Sequence, residues 1–249
     1  MRPFLAAALV TLAATCLATA SPGRAADTWA GVPVLMYHHV NASVPRDPVG
    51  ADLTVTPTAF EAQLRWLRDH GIHTLTTRQL VDALRHGQHP QHAVVLTFDD
   101  GYSDAATVAT PLLRKYGDVA SFYVSAGFIG DGRHADWKQL RAMRAAGMEI
   151  GCHGTHHLDL STLDRAGTEA EAGHCAIALA HYLAPPVTYA YAAGKWKAET
   201  IAVLREHGFW VALTERPGVV TNLDDPYVLQ RRRVRGAASV AEFAAVATP

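Results

Sequence analysis

The sequence lacks an excess of charge of either sign. Its 22 basic and 23 acidic side chains leave a formal net charge of −1, so a basic groove for nucleic acid is not expected. Cysteine is scarce. Of three residues, Cys16 lies in the leading apolar segment, which leaves Cys152 and Cys175 able to form at most one disulfide. Spacing does not decide between that bridge and two thiols, and the place of Cys152 beside a candidate ligand suits a buried reduced thiol equally well. No internal repeat or linker marks a second domain, and the length of 249 residues is enough for one domain with a sizeable core. Histidine is plentiful at 14 residues, yet none follows His207.

The leading segment reads as a secretory signal of bacterial type. Arg2 supplies the positive start, and Phe4 to Ala20 is an apolar run broken only by Thr and Cys. Small-residue cleavage sites follow at Ala18-Thr19-Ala20 and at Arg24-Ala25-Ala26. The run is short for a membrane span. The expectation is a signal peptide over residues 1–26, one domain over 27–249, a secreted or periplasmic mature chain, and no stable membrane insertion. Ala13-Ala14-Thr15 lacks the pattern expected before a lipidated Cys16.

The remainder alternates strand-like and helix-like stretches. Pro33 to Tyr37 reads as a first strand, followed by a loop to about Thr56 and a helix opened by Pro57 with Thr56 as its cap. Phe60, Leu64 and Leu67 mark its apolar face, and His70-Gly71 ends it. Strands are expected near His73–Leu75, Val94–Phe98, Val119–Val124, Glu149–Gly151, Val187–Tyr191 and Trp210–Leu213. Helices are expected near residues 77–85, 105–115, 137–146, 164–183, 197–207 and 238–246. Strand–helix alternation of this length implies a parallel α/β fold, either a barrel or an open sheet.

Two motifs carry chemistry. Thr97-Phe98-Asp99-Asp100-Gly101 ends an apolar strand. Adjacent residues inside a strand face opposite ways, but at a strand end Gly101 permits a turn that can bring both carboxylates to one pocket. The alternative is a turn with Asp capping the next helix. In His153-Gly154-Thr155-His156-His157, His153 and His157 are four apart, so one helical turn would place both on one face. Asp100, His153 and His157 would make a three-ligand site with a coordination position left open, as catalytic rather than structural metal sites have. His156 stays an alternative to His157. Imidazole and carboxylate suit Zn2+, with Co2+, Ni2+ or Fe2+ also fitting.

Together with Glu149-Ile150-Gly151 and the opening Pro33-Val34-Leu35-Met36-Tyr37-His38-His39-Val40, these motifs resemble the polysaccharide deacetylases with a NodB homology domain, carbohydrate esterase family 4. The pattern is similar to the branch containing poly-N-acetylglucosamine deacetylases, from about Val32 to Ala245. The resemblance implies a distorted (β/α) barrel of about seven parallel strands, a divalent metal, and hydrolysis of acetyl groups on a polysaccharide or oligosaccharide. It implies Asp99 as general base, Asp100, His153 and His157 as metal ligands, and Trp137 as the aromatic wall of the acetyl pocket, the alternative being a core or helix-start tryptophan. In Ala190-Tyr191-Ala192-Ala193-Gly194 it implies Tyr191 as a substrate contact and the backbone N–H of Ala193 as an oxyanion donor.

The chain departs from that pattern in three places. A Pro and a second aromatic are replaced by Ala192 and Ala193. Ala190 stands where many relatives carry the Arg that orients the base. The late His that protonates the leaving amine is missing, which leaves His38 as a candidate acid. The segment from Leu229 to Gly236 resembles the ending of the biofilm branch, and its arginines read as a salt-bridged or solvated feature. These departures keep open a second expectation, a weak or inactive carbohydrate-binding relative that retains the metal site. His86, His89 and His92 read as a solvated loop, with adventitious metal binding as the alternative.

Overall fold

The computed structural model describes residues 29–249; the expected signal peptide and its cleavage sites lie outside the described residues. Among the described residues, eleven strands occur in chain order: β1 (Val32–Tyr37), β2 (His39–Val40), β3 (Thr54–Val55), β4 (His73–Leu75), β5 (Ala93–Phe98) and β6 (Ser121–Val124), then β7 (Glu149–Cys152), β8 (Thr188–Ala190), β9 (Val211–Leu213), β10 (Val219–Val220) and β11 (Arg232–Arg233). The main sheet runs β10-β1-β5-β6-β7-β8-β9, with β4 also on β5 and β11 also on β1. All its pairings are parallel except β10 with β1.

One late segment joins the two ends of this sheet. Leu229 bridges Leu213 of β9 in parallel, and three residues later Arg232, with Arg233 after it, pairs with Leu35 and Met36 of β1. The sheet therefore curls into a distorted barrel whose parallel members are β1, β5, β6, β7, β8, β9 and this closing segment. That is the α/β architecture expected from the alternation of elements.

Buried side chains on the two faces of the strands form separate apolar clusters. Leu35, Tyr37, Leu96 and Phe98 pack outward with Phe60, Leu64 and Phe122 under the helices. Val34, Val95, Tyr123, Ala190 and Leu213 fill the other face with Val32 and Leu229. The period-two reversal of faces along β1 and β5 thus sends Thr97 and Asp99 into the barrel.

The helices begin and end for local reasons visible in the chain. Thr56 caps Pro57–Asp69 by accepting from the Ala59 N–H, and Thr76 closes a capping box with Gln79 at the start of Thr77–Arg85. Gly117, at φ 76°, ends Thr110–Tyr116. The sequence reading missed the short helix Pro48–Leu53 within the first loop, together with β2, β3 and β10, whereas β11 falls within the alternating Arg231–Arg235 stretch that reads as a strand. Two-residue strands carry no periodicity to read. Both long helices after β5 and β7 contain a π-helical turn, Ala105–Ala109 and Glu169–Gly173. Cys152 at the end of β7 and Cys175 in the helix His174–Tyr182 form a disulfide with Cα atoms 6.1 Å apart. Among the described residues, no helix is long and apolar enough to cross a membrane.

Candidate active site

The site lies at the carboxyl ends of the parallel strands, where connecting loops converge. β5 delivers Asp99 and Asp100, β7 delivers His153, and β1 ends just before His38. Asp100 has φ 72° and Gly101 φ 82°. This pair of left-handed residues is the turn that releases Asp100 from strand alternation. A Cβ at Gly101 would lie 2.9 Å from the Val124 side chain, so space as well as conformation calls for glycine there.

The expected helical turn across His153 and His157 does not form. Both lie in an irregular loop after β7, with Gly154 at φ 87° and His157 at φ 58°. The two imidazoles nevertheless converge: His153 Nε2 is 3.3 Å and His157 Nε2 3.2 Å from the same Asp100 oxygen, Oδ1. The ligand atoms of Asp100, His153 and His157 all lie within 4.8 Å of one another. His156 turns away and pairs with Glu171.

The chemistry of this donor set fits a cation. His153 Nδ1 lies 2.7 Å from the Ala190 carbonyl, which can only accept, so Nδ1 carries a proton and Nε2 is the ring nitrogen left to meet Asp100, through a proton or through a cation. Asp100 Oδ1 is buried with no hydrogen-bond donor. A buried carboxylate oxygen facing two imidazole nitrogens is costly unless a proton or a cation lies between them. Burial acts to raise the Asp100 carboxyl, but contact with His153 and His157 holds it well below the usual carboxylate range. Burial likewise acts to lower His153, and Asp100 and Asp99 overcome it, raising the imidazole above its ordinary value. The same local field attracts a divalent ion.

Asp99 is held differently. Arg231 Nη1 donates to Oδ1 and Nη2 to Oδ2, each at 2.7 Å, and both side chains are almost wholly buried. Arg231 is itself fixed by Nε donating to the Thr214 carbonyl and by Nη1 donating to Thr97 Oγ1. Burial opposes ionisation of Asp99, but the guanidinium prevails and keeps the carboxyl below its ordinary value. The arginine cluster thus resolves residue by residue. Arg231 enters the barrel, Arg232 turns to the other face and donates to the Val246 and Thr248 carbonyls, Arg233 pairs with Glu215 and Arg235 with Asp52. Sequence reasoning placed salt bridges here but missed the partner of Arg231, which fills the place left by Ala190. The signal available was the closing strand's alternation, which sends residue 231 inward.

His38 is half-buried beside both aspartates and Arg231; burial, the largest influence, holds its imidazole below the ordinary value. Ala193 lies at the same rim, three residues beyond the carbonyl that anchors His153, exposed and in a left-handed conformation at φ 52°. Tyr191 is buried in the core, its hydroxyl donating to the Tyr227 carbonyl at 3.0 Å. That corrects its expected role as a substrate contact: the first residue past β8 points where the core needs an aromatic. Trp137 occupies the first position of the helix Trp137–Ala145 and stacks on Tyr182 at 4.4 Å. It does not line the cleft, and the helix-start alternative describes it.

The cleft beside Asp100 is lined instead by Tyr102, Phe128, Arg133, His134 and His156. Tyr102 stacks on His39 at 3.7 Å and on His134 at 5.0 Å. Burial, then the adjacent Asp100 charge, pushes its phenol up to about 12, so it remains a hydroxyl donor. A carboxylate pair, two imidazoles and an aromatic wall equip this rim for hydrolysis of a polar, ring-shaped substrate. His89 stacks on Trp29, and among the described residues no second cluster with metal-ligand spacing occurs.

Residues 86–212 match the family model described as polysaccharide deacetylase. The Bacillus subtilis chain YxkH, named for the same family, is 30% identical over 218 residues, covering 87% of this chain and 76% of its own length. A poly-beta-1,6-N-acetyl-D-glucosamine N-deacetylase of Staphylococcus aureus is 26% identical over 127 residues, 48% of this chain and 44% of that relative. Among solved structures, the deacetylase PplD of Streptococcus pyogenes in complex with acetate superposes with a TM-score of 0.83 at 26% identity, covering 89% of this chain and all of that one. IcaB from Ammonifex degensii superposes with a TM-score of 0.77 at 28% identity, covering 88% and 97%.

Proposed function

We propose that this chain, which belongs to the polysaccharide deacetylase family, is a metal-dependent hydrolase that removes acetyl groups from an N-acetylglucosamine-containing polysaccharide. The observation that carries the metal dependence is the buried Asp100 oxygen, faced by His153 and His157 and given no donor of its own. The named substrate of the staphylococcal relative supports the sugar, as does the aromatic wall formed by Tyr102. Its partial coverage leaves poly-N-acetylglucosamine, peptidoglycan and chitin-like polymers all within the proposal. The leading apolar segment supports export, and we place the mature protein outside the cytoplasm, as a secreted or periplasmic chain with residues 27–249 as its domain.

Asp100, His153 and His157 would hold the cation, Zn2+ being the best match to two imidazoles and a carboxylate. When bound, such an ion polarises an acetyl carbonyl and lowers the pKa of water toward neutrality. Asp99 receives the proton of the attacking water. Its depressed pKa keeps it ionised, and Arg231 holds both carboxylate oxygens so that a free lone pair points in one direction. The Ala193 N–H is assigned to the oxyanion. His38, facing both aspartates, is assigned delivery of a proton to the leaving nitrogen; burial makes its imidazolium a stronger acid than a free one.

The absence of any histidine after His207 favours a second reading, a glycan-binding relative without turnover. Acetate release from N-acetylglucosamine oligomers, measured with metal content on one preparation, separates the two. Release that a chelator abolishes and zinc restores is the expected result. Glycan binding with no release under any metal would establish the second reading.

A further inference from the structure

The mechanism leaves the buried carboxylate of Glu171 unused. Glu171 is 2% exposed and sits behind the ligand loop, in the π-helical turn Glu169–Gly173 of the long helix after β7. Its Oε2 accepts from the backbone N–H groups of Thr155 and His156, each at 2.9 Å, and Oε1 accepts from the His156 N–H at 3.1 Å. The ring nitrogen Nδ1 of His156 lies 2.9 Å from Oε1. Thr155 returns the contact: its hydroxyl donates to the Ala170 and Glu171 carbonyls, at 3.1 and 2.9 Å.

Thr155 and His156 lie between the two imidazole ligands in sequence. The loop belongs to no helix or strand and carries left-handed angles at Gly154 and His157; on its other side the Ala126 and Gly127 N–H groups donate to the Gly154 and Thr155 carbonyls, at 2.9 and 2.8 Å. A Cβ at Gly154 would lie 2.7 Å from Glu171 Oε2, so the loop is wrapped directly onto the carboxylate. π-helical turns place a helix's side chains and carbonyls out of ordinary register, and they concentrate at functional sites. Here the turn supplies both the carboxylate and the two carbonyls that grip the loop.

We propose that Glu171 is a positioning residue for the cation site, setting the separation of His153 and His157 and so the affinity for a divalent metal. The inference rests on the metal-site reading above. Without Glu171, the Thr155 and His156 amides lose their protein acceptor, and the loop must rearrange or take up water to replace it. Groups that orient ligands in this way change metal affinity by about 10–100-fold when removed.

The test measures zinc affinity of the full chain by competition with a chromophoric chelator, beside the melting temperature of the metal-free protein. Glu171→Ala should weaken zinc binding at least tenfold. At saturating zinc its kcat should return toward the wild-type value with KM for the glycan unchanged, a pattern that general destabilisation would not produce. Glu171→Gln keeps a carbonyl oxygen for the two amides and should restore most of the affinity. A loss under tenfold in folded Glu171→Ala, or equal losses in the Gln and Ala variants, would overturn the proposal. Should Glu171→Ala fail to fold, Thr155→Val decides: threefold or greater weakening supports the role, and less overturns it. A wild-type chain that binds no zinc would remove the metal reading itself, whereas an unchanged affinity in the variants removes only the role of Glu171.

Discussion

Arg231 and Asp99, 132 residues apart in sequence, meet inside the barrel in a two-point ion pair with both contacts at 2.7 Å. The pair couples closure of the fold to the proposed chemistry, because Arg231 lies on the segment that joins β9 to β1. Replacing Arg231 by Met leaves a buried carboxylate unpaired, a change that costs about 3–5 kcal/mol. Arg231→Lys cannot restore the fork geometry. Denaturant unfolding should show both variants destabilised, Met more than Lys, and acetate release should fall in both. Wild-type stability in Arg231→Met would separate the ion pair from the fold.

Asp99→Asn tests the base assignment, and because it also removes the anionic partner of Arg231 its stability is measured beside its turnover. The amide keeps the shape and leaves Asp100, His153 and His157 untouched, so zinc content should stay at one per chain. Turnover should fall by about 10²–10⁴-fold, the usual contribution of a positioned general base. Retained turnover would remove Asp99 from that role.

Asp118 supplies a pH signature remote from the site. Burial, offset only in part by the Thr74 hydroxyl that donates to it, raises its carboxyl to about 6. An acid whose folded pKa lies above its unfolded value binds protons more tightly when folded. Its contribution is therefore favourable at low pH and is lost as pH rises from about 4 to about 6. Asp118→Asn retains an acceptor for Thr74 without the charge. It should be more stable than wild type by about 1 kcal/mol at pH 7, a figure reduced for solvent screening of this half-buried group. The two proteins should converge below about pH 4 in urea titrations. Equal stabilities at both pH values would show that Asp118 carries no burial penalty.

The Cys152–Cys175 bridge closes a sequence separation of 23 residues. On chain-entropy grounds its loss should cost about 3 kcal/mol. Because Cys152 directly precedes His153, Cys152→Ser with Cys175→Ser should also weaken zinc binding, read by the same chelator competition. Unchanged stability and affinity would reduce the bridge to a surface tie.

Helix starts were legible in the chain because caps are local. Thr56, Thr76 and Asp136 each sit within three residues of the N–H they accept. The ligands were legible because Asp-Asp-Gly and the two histidines are compact motifs at strand ends. The route by which His157 reaches Asp100 was not, since left-handed angles at Asp100 and His157 occur at residues with a Cβ, where composition gives no warning. The substrate contacts assigned to Trp137 and Tyr191 by family pattern gave way to packing against Tyr182 and hydrogen bonding to Tyr227. The wall of Tyr102 and His134 took their place in the cleft.

What the chain determined by itself was therefore whatever is encoded within a few residues: strand and helix order, the caps, the parallel α/β class, and the three side chains of the candidate metal site. Tertiary structure alone decided the pairing of Arg231 with Asp99, the grip of Glu171 on the ligand loop, and which aromatics face the cleft. Each of these depends on contacts between segments 15 to 132 residues apart, whose meeting is set by barrel curvature and burial rather than by local propensity.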